Sequence, residues 1–171
     1  VDASKAPVKE VILKDAQADL TKIPALWHAE HDPSPYIASG MAIIKDPETG
    51  IRNMSIHRQQ IQGPDQTGFL ICPRHALRIY QKYQQRNEPM PVAMVVGAHP
   101  AIYYASGFTS SYGLDELEIA GSLLNDPVRL VKCETIDIEV PAEAELVIEG
   151  EVLPEGMVEE GPFGEATGTY A

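Results

Sequence analysis

The sequence predicts an α+β domain, barrel-like, with mostly antiparallel strands and two or three helices. Three observations carry this. Strand-like runs at 36–44, 52–60 and 67–72 are joined by short turns, Asp46-Pro47-Glu48-Thr49-Gly50 and Gly63-Pro64-Asp65, and connections this short favour antiparallel pairing. After Pro73, suited to a first helical position, Ala76, Ile79, Tyr80 and Tyr83 recur every three or four residues, which gives a helix at 74–83 one buried face. Residues 91–97, Pro-Val-Ala-Met-Val-Val-Gly, form a fully apolar strand.

The other elements follow in order. Residues 1–7 are small and polar and read as a linker, and 8–13 alternates enough for a strand. The apolar segment 23–28 reads as a turn packed on the sheet, and Pro33 and Pro35 break any helix after it. Residues 98–107 read as a turn and short helix. A further helix spans 114–124, where Asp115 and Glu116 put acidic charge in the first turn, complementing the helix dipole. Residues 128–133 and 144–150 are further strands. No repeat or low-complexity segment interrupts the pattern.

The 171 residues suffice for one domain with a real core and hardly for two, so residues 1–171 are expected to be a single domain. Apolar residues at 44% and charged residues at 22% are ordinary for a globular protein. A net charge of −12 argues against nucleic acid and anionic membrane as partners. No apolar run approaches the roughly 20 residues that span a bilayer, and no signal peptide is visible. Cys72 and Cys133 sit in apolar, strand-like settings and read as buried free thiols rather than a disulfide, which fits a cytoplasmic protein.

Two stretches carry chemistry. In Glu159-Glu160-Gly161-Pro162-Phe163-Gly164-Glu165, two carboxylates bracket a Gly-Pro-Phe-Gly turn. Glycine and proline fix such a turn at little entropic cost. Neighbouring carboxylates hinder each other's ionisation, so one can keep a proton near neutral pH. The stretch alone reads either as an acidic surface turn or as a proton-transfer site. The second stretch, 45–60, places Asn53 and Arg58 on one strand, and an arginine brought against two carboxylates orients one of them through bidentate hydrogen bonds. At Pro73-Arg74-His75 a basic helix start offers an anion site. His75 alone reads more readily as a capping or core residue than as a metal ligand.

With Asn53-x4-Arg58, Pro73-Arg74-His75, Glu118 and the Glu160–Glu165 motif in this order, the chain resembles the UbiD-type decarboxylases, which use prenylated FMN. The resemblance covers nearly the whole chain. It implies a split β-barrel related to flavin reductases, the middle, cofactor-binding domain of a longer enzyme. The preceding segment and the C-terminal dimerisation domain of such enzymes are not expected within these residues. It also implies that Asn53, His75 and Glu118 hold Mn²⁺ or Mg²⁺ at the flavin phosphate. Ile56, His57, Arg58, Arg74, His75 and Ser106 would contact the cofactor. The turn at Ala105-Ser106-Gly107 would offer carbonyls to K⁺. By the family's mechanism, an aromatic or α,β-unsaturated acid loses CO₂ on the flavin. Glu165 then delivers the replacing proton, with Arg58 orienting Glu160. The implied partners are a small carboxylic acid, a flavin prenyltransferase that supplies the cofactor, and a second copy of the full-length enzyme. The alternative is a flavin-binding split-barrel module, a flavin reductase or cofactor carrier, without decarboxylase activity.

Overall fold

In the computed structural model residues 1–170 are described. They form two compact units: residues 1–11, 40–56 and 71–156 make the first, and residues 12–39, 57–70 and 157 onward make the second. The architecture is mixed α+β with antiparallel pairing in every sheet among the described residues. These sheets are open and separate rather than one closed barrel.

The first unit holds a four-stranded sheet. Its strands are β2 (Met41–Lys45), β3 (Arg52–Ile56), β6 (Met90–Val96) and β9 (Leu146–Val152), in the order β3-β2-β6-β9. The inner strand β2 is buried along Met41–Ile44, which accounts for its unbroken apolar run. Ile43 pairs with Met54 on one side and Ala93 on the other. These residues pack with Met41, Val95, Ile102, Leu117 and Ala120 in one core. Each Ile, Leu, Met or Val side chain buried there contributes about 1.5–3 kcal/mol. A two-stranded sheet of β7 (Leu130–Lys132) and β8 (Glu139–Pro141) completes the strands of this unit.

Helix α1 (His75–Arg86) buries Ala76, Ile79 and Tyr80, and Asn87 ends it in the left-handed conformation. Its Tyr83 hydroxyl donates to the Lys45 carbonyl at 3.1 Å, tying helix to strand. Helix α2 (Pro100–Ser106) packs against α3 (Glu116–Leu124). Asp115 caps α3 by accepting from the Leu117 amide at 3.0 Å.

The second unit carries the sheet β1-β4-β5, formed by Tyr36–Ile37, Gln59–Ile61 and Thr67–Phe69. The strands expected at 36–44 and 52–60 are each divided. The chain leaves one sheet after Ile56 and enters another at Gln59, so His57 and Arg58 lie between strands. Alternation of side chains does not report a change of pairing partner.

Three other local expectations are corrected. Residues 8–13 form no strand; a 3-10 turn covers Pro7–Lys9, its Val8 amide bonded to the Ala142 carbonyl at 3.1 Å. Within the opening segment, read as a linker, Ala6 is buried in the core. Cys72 is exposed, since β5 ends at Phe69 and leaves it in a loop before α1. Both cysteines are free thiols. Burial first, and then the charge of Glu149, push the Cys133 thiol up to about 12. No helix among the described residues is long and apolar enough to cross a membrane.

Candidate active site

In the second unit the structure brings Arg58, Glu160 and Glu165 together. Arg58 Nε donates to Glu160 Oε1 at 3.1 Å and Nη2 to Glu160 Oε2 at 3.0 Å, a bidentate pair. Nη1 donates to Glu165 Oε1 at 3.0 Å. The guanidinium lies over the Phe163 ring, 4.9 Å from its centroid, and Phe163 packs edge-on against Tyr36 at 4.7 Å. Burial alone lowers the Arg58 pKa, but hydrogen bonding and charge from Glu160, then the charge of Glu165, outweigh it and raise the pKa. Arg58 therefore stays a cation.

The two carboxylates differ in access. The Glu160 side chain is 9% exposed and that of Glu165 is 43% exposed. One is an internal partner of the arginine, and the other reaches out of the network. Beside Phe163, the Tyr36 hydroxyl is buried. Burial, followed by the Glu160 charge, pushes its pKa up to about 12. His57 is buried, its Nδ1 is 2.8 Å from the Leu70 carbonyl and its ring packs on Phe69 at 4.8 Å. Burial lowers its pKa despite that contact.

In the first unit Asn53 lies beside a carboxylate, but that carboxylate is Glu116. Asn53 Nδ2 donates to Glu116 Oε1 at 3.1 Å, the Met54 amide to Oε2 at 2.8 Å, and Ser110 Oγ to Oε1 at 2.9 Å. Glu116 is 2% exposed, whereas Glu118 is exposed. Residues two apart on a helix point to opposite sides. Glu116, not Glu118, is therefore the α3 carboxylate that meets Asn53. Asn53 Oδ1 is buried without a hydrogen-bond partner among the described residues. Asn53 and His75 line one small pocket with Asp46, Ile79 and Tyr112. The His75 ring packs edge-on against Tyr112 at 5.4 Å.

An orphaned amide oxygen, a buried carboxylate and an imidazole form a donor set suited to a hard or borderline divalent cation. Their donor types suit such an ion, while among the described residues no cluster of three His, Cys, Asp or Glu is arranged to hold a metal. The other expected cofactor residues lie apart in local character. Arg74 is exposed at the N-cap of α1 and Ile56 is 37% exposed at the end of β3. Ser106 is buried at the end of α2, its Oγ donating to the Tyr103 carbonyl at 2.7 Å.

Sequence reasoning missed Glu116, Tyr36 and Phe163 as parts of these arrangements. For Glu116 a signal was present, because the periodicity of α3 places it on the same face as Ala120. For Tyr36 no local pattern points to Arg58.

The chain has counterparts of the same fold among known proteins. The family model described as the 3-octaprenyl-4-hydroxybenzoate carboxy-lyase Rift-related domain matches residues 1–171. The chain belongs to the UbiD family. It is 38% identical over 157 residues to the anhydromevalonate phosphate decarboxylase of Methanothermobacter thermautotrophicus, covering 92% of this chain and 37% of that protein. It superposes with a TM-score of 0.97 and 48% identity on the UbiD-class enzyme HmfF from Pelotomaculum thermopropionicum in complex with FMN, covering 100% of this chain and 38% of that one. An evolved dimeric form of HmfF in complex with prFMN matches equally, with a TM-score of 0.97 and 48% identity over 100% of this chain and 40% of that one. The chain thus spans under half the length of these relatives.

Proposed function

We propose that this chain is the cofactor-binding, catalytic part of a prenylated-FMN-dependent decarboxylase acting reversibly on an aromatic or α,β-unsaturated carboxylic acid. The observation that carries the proposal is the Arg58 pairing with both Glu160 and Glu165. A flavin reductase or a cofactor carrier has no use for an arginine shared between two carboxylates. FMN and prFMN in the HmfF structures support the cofactor.

Prenylated FMN supplies the electron sink for cleavage of the bond to CO₂. The protein's part is to return a proton to the carbon that the carboxylate leaves. Glu165, the more exposed carboxylate, is the donor. Glu160, held by both of its oxygens, fixes the Arg58 plane, and Arg58 in turn fixes Glu165. A positioned acid of this kind contributes roughly 10²–10⁴-fold to rate. Asn53, His75 and Glu116 would hold Mn²⁺ or Mg²⁺, which supplies charge to bind the flavin phosphate. Ile56, His57, Arg74 and Ser106 belong to the cofactor contacts in the same reading, with the Ala105-Ser106-Gly107 carbonyls as a K⁺ site.

Several wider expectations travel with this reading. A split β-barrel is supported by the antiparallel pairing throughout. A flavin prenyltransferase would supply the cofactor, and homo-oligomerisation finds support in the dimeric form of HmfF. Two free cysteines accord with a cytoplasmic location.

Native mass spectrometry after co-expression with a flavin prenyltransferase tests the proposal. The expected result is a bound species with the mass of prenylated FMN. Retention of unmodified FMN alone, with turnover of NAD(P)H, would favour the reductase.

A further inference from the structure

The Glu160–Glu165 turn rests on a part of the second unit that neither its motif nor its arginine explains. Asp32 is 4% exposed, yet its carboxylate is fully engaged by backbone. Its Oδ1 accepts from the Gly164 amide at 2.9 Å. Its Oδ2 accepts from the His28 amide at 3.0 Å and the Ala29 amide at 2.9 Å. One side chain thus joins two segments 132 residues apart.

The same bed touches the turn twice more. Gly164 lies so close to Ala29 that a Cβ added at 164 would stand 2.3 Å from the Ala29 Cβ. On the other arm of the turn, the His31 amide donates to the Tyr170 hydroxyl at 3.3 Å, and the two rings pack at 5.4 Å. Gly164 and Tyr170 are themselves bridged, and the Glu165 amide donates to the Thr169 carbonyl at 2.8 Å. Glu165 therefore sits at the head of a small hairpin held at both arms by residues 28–32. Burying a carboxylate is costly unless it is fully hydrogen-bonded. An asparagine has one acceptor oxygen and could serve only one of the two segments.

We infer that Asp32 is a positioning residue: by holding the Gly164 amide against the 28–32 segment it sets where the neighbouring Glu165 carboxylate stands. The inference rests on Glu165 being the proton donor for its kinetic consequence, but not for its structural one. A displacement of about 1 Å in a catalytic group can cost roughly 10²-fold in rate. Loss of the Gly164 hydrogen bond should also speed exchange of that amide by about tenfold, the worth of one net hydrogen bond.

The test compares Asp32→Asn with the parent in the protein loaded with prenylated FMN. Turnover and peptide-resolved amide hydrogen exchange are both measured. The expected result is a kcat lower by roughly 10²-fold with KM and flavin occupancy unchanged, together with faster exchange at 164–165 that extends no further than the 28–29 amides sharing the Asp32 carboxylate. Unchanged exchange at 164–165, or lost flavin occupancy with unchanged kcat per bound cofactor, overturns the inference. If Glu165→Gln proves fully active, the decarboxylase assignment of Glu165 fails, while the exchange measurement still decides the role of Asp32. If Asp32→Asn does not fold, Gly164→Ala replaces it. That variant should lose kcat through its contact with Ala29 and regain it when Ala29→Gly is added. Absence of this rescue overturns the inference.

Discussion

Arg58 and Glu160 meet through two near-parallel hydrogen bonds of 3.1 and 3.0 Å across 102 residues of sequence. A bidentate pair fixes the plane of the guanidinium as well as its position, so the third donor, Nη1, is aimed at Glu165 rather than free to rotate. Arg58→Lys should therefore fail although it keeps the charge. An ammonium cannot satisfy Glu160 with two parallel bonds and hold Glu165 as well. Decarboxylation by Arg58→Lys should fall by at least roughly tenfold with flavin binding retained, as read by steady-state kinetics and flavin absorbance. Near-parent activity would show that charge alone suffices.

The metal arrangement makes a prediction that separates two glutamates two residues apart. Glu116→Gln keeps the shape and can still accept from the Met54 amide, but removes the charge facing Asn53. Mn²⁺-dependent strengthening of FMN binding should weaken by at least roughly 10–100-fold, the range that supporting partners of metal sites are worth. Glu118→Gln should leave it unchanged. Isothermal titration of FMN with and without Mn²⁺ reads both, and a reversed ranking would return the role to Glu118.

Much of this arrangement was legible from residue order. The motifs group Arg58, Glu160 and Glu165, and the structure puts both carboxylates within hydrogen-bond reach of the arginine. Periodicity marks α1, which buries one face, and an acidic first turn marks α3, each to within a few residues of its observed bounds. The rest depended on information that no local pattern holds. The break after Ile56 arises from a change of sheet, and alternation continues on both sides of it. The family resemblance points to Glu118, although helical phase puts Glu116 beside Leu117 and Ala120 in the buried part of α3. Asp32 follows a pattern of backbone amides that appears only when distant segments meet.

Acid stability should carry a trace of Asp46. Its burial alone raises its pKa, but hydrogen bonds from Lys82 and Tyr112 and from the Glu48 amide outweigh this and lower it to about 2. The ordinary value is 3.8, so the folded state holds the proton less tightly than the unfolded one. The contribution is thus present above about pH 4 and is lost as pH falls toward 2. Asp46→Asn should flatten the fall in denaturant midpoint over that window. An unchanged slope would show that other carboxylates set it.

Packing gives a prediction independent of chemistry. Ile43 is 0% exposed between Met54 and Ala93, and truncation there leaves a cavity that neighbours on both sides cannot fill. Ile43→Ala should cost about 2–5 kcal/mol in urea unfolding with an unchanged m-value. A cost below about 1 kcal/mol would mean that the sheet collapses around the gap.

The most direct measurement concerns Glu165 as proton donor. In the protein loaded with prenylated FMN, Glu165→Gln keeps the size and the Arg58 contact but cannot give up or regain a proton. Exchange of the product's vinyl or aryl hydrogen with solvent deuterium follows the same proton transfer without requiring CO₂ loss. Exchange and decarboxylation should fall together by roughly 10²–10⁴-fold while flavin binding stays normal. Near-parent exchange in Glu165→Gln would contradict this role, since the proton would then come from another group.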